Sequence, residues 1–308
     1  MFERKKVGLA LSGGGVRGFA HLGVLHILED YNIPIDMISG TSIGAIIGAM
    51  YAAEPNAKKL EKEILAENIG SLLDYTLSTH GLIKGEKIEN YLKKRLKNIT
   101  FKDLKIPLFI TSFDLEKKRE VIFTKGDVAR AVRASISVPG LFIPVENKNE
   151  ILIDAGIIDP IPTEILKAQG ADIIIAVNVN NFRMRKPLIN DEAVISKQPG
   201  HVLPTMMQAT TESMNIIGSQ AAKADLAGNK ADFIIDIDLE DITLLDYKKT
   251  KKAIEAGKRA TKKSISKILS LEQATPLKDL LSQLDTKIDK KVKKIVRKVK
   301  ERIKEDIK

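Results

Sequence analysis

Short apolar runs rich in β-branched residues recur along the chain and alternate with stretches of helical periodicity. The runs of strand type are VGLALS, DMIS, PLFITSFDL, EVIFT, EILID, DIIIAVNV and DFIIDID, and two of the helical stretches are GFAHLGVLHILEDYN and KKLEKEILAEN. Strands that alternate with helices favour a mainly parallel sheet covered by helices on both faces. We therefore predict an α/β fold with three layers for residues 1–270.

Two segments depart from this alternation. PLFITSFDL and EVIFT are separated only by EKKR, which predicts an antiparallel hairpin at one side of the sheet. The polar segment NFRMRKPLINDEAVISKQPG, at residues 181–200, contains two prolines and predicts a long surface loop.

Residues 271–308 form a predicted second region, in which EQATP is a linker and Pro276 begins an amphipathic helix. Apolar residues recur every three or four positions from Leu277 to Ile307, and lysine and arginine dominate the other side. One interpretation is a helix packed on the domain or on a second subunit, which leaves oligomerisation open. The other is peripheral contact with anionic lipid through residues 276–308. The helix lacks aromatic residues and a recognition motif, so we do not expect nucleic-acid binding.

Composition narrows the class of protein. The 308 residues are 44% hydrophobic, enough for a sizeable core, and the absence of cysteine excludes disulfides and thiolate metal sites. The apolar runs are shorter than the ~20 residues of a membrane span, and the first residues lack a signal-peptide core. We expect a cytoplasmic protein, with any membrane contact peripheral and at the inner surface.

Charge is concentrated near the end of the chain. The whole chain has 50 Lys+Arg and 40 Asp+Glu, of which residues 247–308 contain 21 and 8. The main body is therefore close to neutral, and a basic catalytic surface is not implied.

The first predicted strand ends in the glycine-rich stretch GGGVRG, residues 13–18, and leads into a helix. Consecutive glycines let backbone N–H groups converge on a negative charge, and the helix dipole adds to this effect. Such a loop serves either a bound phosphate or the oxyanion of acyl transfer. Gly13, Gly15 and Gly18 also have the spacing of a dinucleotide-binding fingerprint.

The next strand distinguishes these alternatives. A dinucleotide site requires an acidic residue at the end of that strand, but Asp36 begins it. The strand ends instead in GTSIG, where Ser42 stands between Gly40 and Gly44 at a strand-to-helix turn, as in a nucleophile elbow. Adjacent parallel strands place both loops at one edge of the sheet. This favours a serine acyl-transfer site over a nucleotide-binding oxidoreductase, which is the first alternative function. The second alternative is a non-catalytic lipid-binding or regulatory protein.

A serine nucleophile needs a base, and the four histidines are His21, His26, His80 and His201. The first two lie within a predicted helix and suit packing, whereas His80 and His201 lie in predicted loops. Only His201 could complete a triad of the ordinary hydrolase order.

Asp154, in EILIDAGIIDPIP, ends a strand at the same predicted edge as Ser42. A carboxylate in this position is often a turn former, but partial burial would raise its pKa and make it a base. Asp159, beside Pro160, is more simply a turn residue.

GGGVRG, GTSIG and IDAG, in this order, together with ASISVPGLFIP at residues 134–144, resemble the patatin-like phospholipase family over about residues 5–270. The resemblance implies a patatin-like fold and a Ser–Asp dyad, with Ser42 as nucleophile and Asp154 as base and without cofactor or metal. It points to fatty acyl esters of lipids as substrates, in a phospholipase A, lysophospholipase or esterase reaction.

The resemblance also assigns the neighbouring positions. The oxyanion hole would be formed by Gly13, Gly14, Gly15, Arg17 and Gly18, and the turn after Asp154 by Ala155 and Gly156, where the family more often has glycine in place of Ala155. We interpret the apolar positions Met206, Met207, Met214 and Ile217 as core packing or as part of an acyl pocket.

Overall fold

The computed structural model of the protein describes residues 4–180, 206–228, 230–239 and 242–287, with side chains omitted at residues 206–208, 211 and 272–287. The predicted loop at residues 181–200 and the chain after residue 287 lie outside these ranges. Contacts divide the chain into two units, and the unit Lys5–Ile265 contains the sheet. The boundary predicted after residue 270 remains a prediction.

Ten strands and eight α-helices form the described part of the fold. The strands are β1 (Val7–Leu11), β2 (Met37–Thr41), β3 (Tyr75–Ser78), β4 (Gly81–Ile83), β5 (Leu108–Asp114), β6 (Arg119–Phe123), β7 (Val145–Asn147), β8 (Glu150–Ile153), β9 (Ile173–Asn178) and β10 (Phe233–Asp236). The helices are α1 (Ala20–Asp30), α2 (Ile43–Ala53), α3 (Ala57–Ala66), α4 (Glu86–Arg95), α5 (Val128–Ser135), α6 (Glu164–Ala168), α7 (Met206–Ala227) and α8 (Thr250–Lys287).

The central sheet has the strand order β10-β9-β1-β2-β5-β8-β7, and β6 also pairs with β5. The four pairings from β10 to β5 are parallel, whereas β5–β6, β5–β8 and β7–β8 are antiparallel. The mainly parallel sheet and the β5–β6 hairpin are thereby confirmed.

Helices cover both faces of the sheet. On one face α2 packs at Gly48, where a Cβ would lie 3.2 Å from the side chains of Ile38 and Leu108. On the other face α6 and α7 contribute to an apolar cluster that comprises Ala10, Met37, Phe109, Ile161, Leu166, Ile174, Ala176 and Ala222. Full burial of such aliphatic side chains stabilises a fold by about 1.5–3 kcal/mol each. The three-layer prediction is confirmed.

The structure differs from the sequence prediction at its less regular elements. Strands β3, β4 and β7 are only three or four residues long, too short to give a clear apolar alternation. The helix α8 continues through residues 272–276, where a linker was expected. Glu272, Gln273 and Ala274 are good helix formers, and the single Pro276 does not end the helix.

Within the described ranges, no helix combines the length and the apolar composition required to cross a membrane.

Candidate active site

Ser42 and Asp154 meet because β2 and β8 lie end to end along the same side of β5. Strand β2 pairs with β5 as far as Thr111, and β8 pairs with it from Phe113. The first pairing is parallel and the second antiparallel, so the carboxyl ends of β2 and β8 face each other across Ser112. Ser42 and Asp154 directly follow these ends. The predicted proximity is therefore found, although it arises from opposed strands and not from two parallel ones.

Ser42 occupies a strained turn between β2 and α2. Its φ is 56° and its ψ −121°, a conformation that L-residues rarely adopt. The neighbouring glycines leave room for the turn: a Cβ on Gly40 would lie 2.6 Å from the Gly44 carbonyl carbon, and one on Gly44 would lie 2.2 Å from the Leu11 carbonyl oxygen. The turn places Ser42 at the amino end of α2, where the helix dipole favours negative charge.

Asp154 is buried, with 5% of its surface exposed. Burial raises its pKa to about 6, and hydrogen bonds from the Ser42 hydroxyl and the Gly156 N–H reduce this rise. The Gly156 N–H donates to Asp154 Oδ1 at 2.7 Å. The short helical turn Ala155–Ile157 begins here, and Ala155 does not have a positive φ, so alanine fits where the family more often has glycine.

The end of α5 connects the two residues. Ser135 Oγ accepts a hydrogen bond from the Ser42 N–H at 2.8 Å, and the Ser137 carbonyl accepts one from the Asp154 N–H at 3.0 Å. Arg133 Nη1 donates to Ser137 Oγ at 2.6 Å. The sequence drew attention to residues 134–144 through the family resemblance, but no local pattern indicated these contacts between distant residues.

The glycine loop lies beside Ser42, since a Cβ on Gly13 would lie 3.5 Å from Ser42 Cβ. Gly14 and Gly15 have φ values of 142° and 56°, which glycine tolerates best. The Gly13 N–H donates to the Pro160 carbonyl at 3.0 Å, so it is not directed at a ligand. Within the part of the chain that the structure describes, no protein acceptor contacts the N–H groups of Gly14 and Gly15. These two groups could donate to a bound anion.

Arg17 and Gly18 do not line the cleft described below. A Cβ on Gly18 would lie 2.1 Å from Ile43 Cγ2, so this glycine permits close packing against the start of α2. The buried Arg17 guanidinium donates to Asn215 Oδ1 of α7. Burial lowers the pKa of Arg17 to about 10, and the nearby Glu212 partly offsets this effect. Arg17 and Gly18 therefore stabilise the glycine loop through a hydrogen bond and close packing outside the cleft.

The described histidines have hydrogen-bond partners other than Ser42. His21 is fully buried and Nε2 donates to the Ser12 carbonyl at 2.8 Å; burial lowers its pKa to about 4 and keeps it neutral. His26 Nδ1 lies 2.9 Å from Glu61 Oε2, and His80 is exposed in the β3–β4 turn. None of the three lines the cleft, and His201 lies outside the described residues.

Ser42 and Asp154 open into an apolar cleft of about 200 Å³, more than ten times the space that one water molecule needs. Its described lining contains no Lys, Arg or His, and Glu67 is the other carboxylate in it. Met214 lines the cleft as one interpretation suggested. Ile217 does not; it is 49% exposed, and the prediction for it is wrong. The side chains of residues 206 and 207 lie outside the described part.

The features of a dinucleotide site are not brought together. Asp36 Oδ2 accepts the Val7 N–H at 2.7 Å, which places this carboxylate at the amino ends of β1 and β2, opposite the glycine loop. Among the described residues, no cluster of His, Asp or Glu is arranged to hold a metal ion.

Comparison with known proteins identifies relatives with NTE names. The chain is 28% identical over 274 residues to an uncharacterized NTE family protein of Mycobacterium tuberculosis, covering 85% of this chain and 46% of the relative. It is 34% identical over 196 residues to "Lysophospholipase nte1" of Aspergillus fumigatus, covering 62% of this chain and 13% of the relative. The chain thus spans about half the length of the mycobacterial protein and a small part of the fungal one.

Among solved structures, VipD from Legionella pneumophila has a TM-score of 0.57 at 15% identity, over 86% of this chain and 67% of that one, which supports the fold. The model of the patatin-like phospholipase family matches residues 9–167, about half of the chain and the part that contains the glycine loop, Ser42 and Asp154. The chain belongs to the patatin-like phospholipase family.

Proposed function

We propose that the protein hydrolyses fatty acyl esters of lipids through a Ser42–Asp154 dyad. The observation that carries this proposal is the position of Ser42, in the same cleft, beside a buried Asp154 carboxyl group whose pKa burial raises to about 6. A carboxylate with this pKa is ionised at neutral pH yet more basic than an exposed aspartate, which suits a general base.

In the proposed reaction Asp154 accepts the proton of Ser42 while the serine oxygen attacks the ester carbonyl carbon. The tetrahedral intermediate collapses, the alcohol leaves with the proton from Asp154, and the acyl group remains on Ser42. Water then attacks the acyl-enzyme with Asp154 again as base. The bond to Ser42 breaks as Asp154 returns the proton to the Ser42 oxygen, and the fatty acid is released.

The negative oxygen of each tetrahedral intermediate would accept hydrogen bonds from the Gly14 and Gly15 N–H groups, with the amino end of α2 adding its dipole. Gly13, Arg17 and Gly18 would act indirectly by fixing the loop, since the Gly13 N–H already has an acceptor. Ser135 and Ser137 would keep the nucleophile and the base in register.

The cleft supports a lipid as substrate. Its walls are dominated by Ile, Leu, Met and Phe side chains, which suit an acyl chain, and its described lining offers no cation to a phosphate group. A phosphate, if the substrate has one, would therefore lie outside the apolar part. The name of the fungal relative makes lysophospholipids the first substrates to test.

The test is covalent labelling with a fluorophosphonate, read by intact mass, on wild type and single variants. We expect one adduct on wild type, none on Ser42→Ala, and labelling slowed by about 10²–10⁴-fold in Asp154→Asn. Asp159→Asn is the matched control, because Asp159 is partly buried and its pKa is also raised, by burial and by the neighbouring Glu120 carboxylate, yet it has no proposed role. It should label like wild type.

Hydrolysis of lysophospholipid, diacyl phospholipid and a short soluble ester by the same proteins then tests the substrate class. Unlabelled wild type with no ester hydrolysis would refute the proposal and favour a non-catalytic lipid-binding protein. Normal labelling of Asp154→Asn together with unlabelled His201→Ala would show that the wrong base has been assigned.

A further inference from the structure

The segment after α3 passes from the cleft wall to an exposed apolar surface. Ile69, Leu72 and Leu73 line the cleft. A few residues later, on β3, Tyr75 is 67% exposed and Leu77 fully exposed. A leucine in full contact with water has an unfavourable free energy of hydration, and the described chain offers it no cover.

A basic segment lies beside this hairpin. Leu244, Leu245 and Tyr247 line the cleft, and the residues that follow include Lys248, Lys251 and Lys252, all of them exposed. Burial, with an additional contribution from Tyr75, raises the pKa of Tyr247 to about 12. Leu73 and Tyr247 line the same cleft, and they directly precede the hairpin region and the basic segment, so both segments lie at the mouth of this cleft.

Two nearby acidic groups have partners other than Lys248 and Lys251. Asp246 pairs with Lys249 at 2.7 Å. The Asp74 carboxylate beside the hairpin accepts the N–H groups of Gly85 at 2.7 Å and Lys87 at 3.1 Å. Exposed apolar side chains next to exposed lysines are typical of surfaces that bind anionic bilayers, with the apolar groups inserted and the cations at the headgroups. Tyrosine suits the boundary between the two.

We propose that Tyr75, Leu77, Lys248 and Lys251, together termed the mouth surface, dock on an anionic lipid bilayer. This inference rests on the proposed function: docking by the mouth surface would place the cleft against the lipid, so that an acyl chain enters it without crossing water. The surface is distinct from residues 276–308, through which the sequence suggested membrane contact.

The chain contains no tryptophan, so Leu77→Trp provides a single fluorescent reporter. In the Ser42→Ala background, where no hydrolysis is expected, vesicles of phosphatidylcholine with phosphatidylglycerol should shift its emission to shorter wavelength. Vesicles of phosphatidylcholine alone should cause a smaller shift. Ile234→Trp is the matched control: Ile234 is an exposed apolar residue on the edge strand β10, and its emission should not change.

Vesicle co-sedimentation of the full chain gives the second readout. The single variant Leu77→Glu should lower the partition coefficient onto anionic vesicles by about tenfold or more. The double variant that combines Lys248→Glu and Lys251→Glu should do the same. A triple variant of the terminal segment combines Lys293→Glu, Lys294→Glu and Lys298→Glu. It should lower the partition coefficient less. Unchanged emission of Leu77→Trp, or loss of binding only in the terminal variant, would overturn the proposal.

The outcome is separable from that of the proposed function. If the dyad is correct but the docking proposal is wrong, Leu77→Glu keeps wild-type fluorophosphonate labelling and wild-type hydrolysis of a short soluble ester. It also binds vesicles as well as wild type does. If the dyad is wrong, wild type fails to label, whereas the emission shift of Leu77→Trp still reports docking.

Discussion

Ser42 and Asp154 face the same cleft, but different local structures hold them in place. Ser42 follows a parallel strand and has a strained backbone conformation, which is possible only because glycines on either side leave space. Asp154 follows an antiparallel strand and has an ordinary backbone conformation. Its special property is burial, which raises its pKa to about 6.

Because of this difference, the two positions should be sensitive to different kinds of substitution. The Ser42 side depends on van der Waals space and backbone strain, so added atoms should disturb it most. The Asp154 side depends on desolvation and hydrogen bonds, so pH and loss of polar partners should matter more. The contacts of Ser135 and Ser137 join the two sides. Four substitutions test this contrast.

Gly44→Ala should have the largest effect, lowering the free energy of unfolding by about 3 kcal/mol. The added Cβ would lie 2.2 Å from the backbone oxygen of Leu11, which cannot move aside as a side chain can. Gly48→Ala in the same helix is the control, since its Cβ meets only side chains at 3.2 Å and alanine favours the helix by about 1 kcal/mol. Urea unfolding measures both, and equal stabilities would contradict the role of space at Gly44.

Asp154→Asn should remove one pH dependence of stability. An aspartate with a pKa near 3.8 when unfolded and about 6 when folded stabilises the fold below pH 4 and loses this contribution as the pH rises through 6. Relative to wild type, the variant should therefore gain about 2–3 kcal/mol between pH 4 and pH 8.

Unfolding curves across that range, together with the pH–rate profile, provide the check. If Asp154 is the base, wild-type activity should fall about tenfold per pH unit below 6. A stability difference independent of pH would show that Asp154 is not titrating as described.

Ser135→Ala should lower stability by about 1–2 kcal/mol, because the buried Ser42 N–H loses its acceptor. It should also lower kcat by about tenfold with KM nearly unchanged, since the acyl cleft is untouched. Ser39→Ala is the matched control: it removes another buried hydroxyl, which donates to the Pro162 carbonyl, and should change stability without changing kcat. A parallel fall of kcat in both variants would argue against a positioning role for Ser135.

Ser42→Gly should have the smallest effect, making the protein about 1 kcal/mol more stable than Ser42→Ala. Both variants lack the hydroxyl, but glycine adopts a φ of 56° without strain. At Ser39, which lies in an extended strand, the alanine variant should instead be more stable than the glycine variant. Thermal unfolding of the four proteins measures the strain, and a less stable Ser42→Gly would mean that the turn is relaxed.

The regular part of the fold could be predicted from sequence because β-branched runs and helical periodicity are local signals. The strands β1, β5, β8, β9 and β10 all lie within predicted runs, and β2 begins within one. The exposed β3 and the short β7 carry too few apolar residues to give such a signal. The elbow glycines were found for a similar reason: GTSIG is a contiguous pattern whose spacing reflects a steric requirement.

The amino-acid sequence by itself determined the layered α/β fold, the glycine loop and the two candidate residues, because each depends on neighbours along the chain. Only the tertiary structure decided how the site is assembled. The head-to-head approach of β2 and β8 along β5, the Ser135 contact and the burial that shifts the pKa of Asp154 join residues far apart in sequence. Long-range pairing and desolvation depend on which surfaces the folded chain brings together, and no local pattern encodes them.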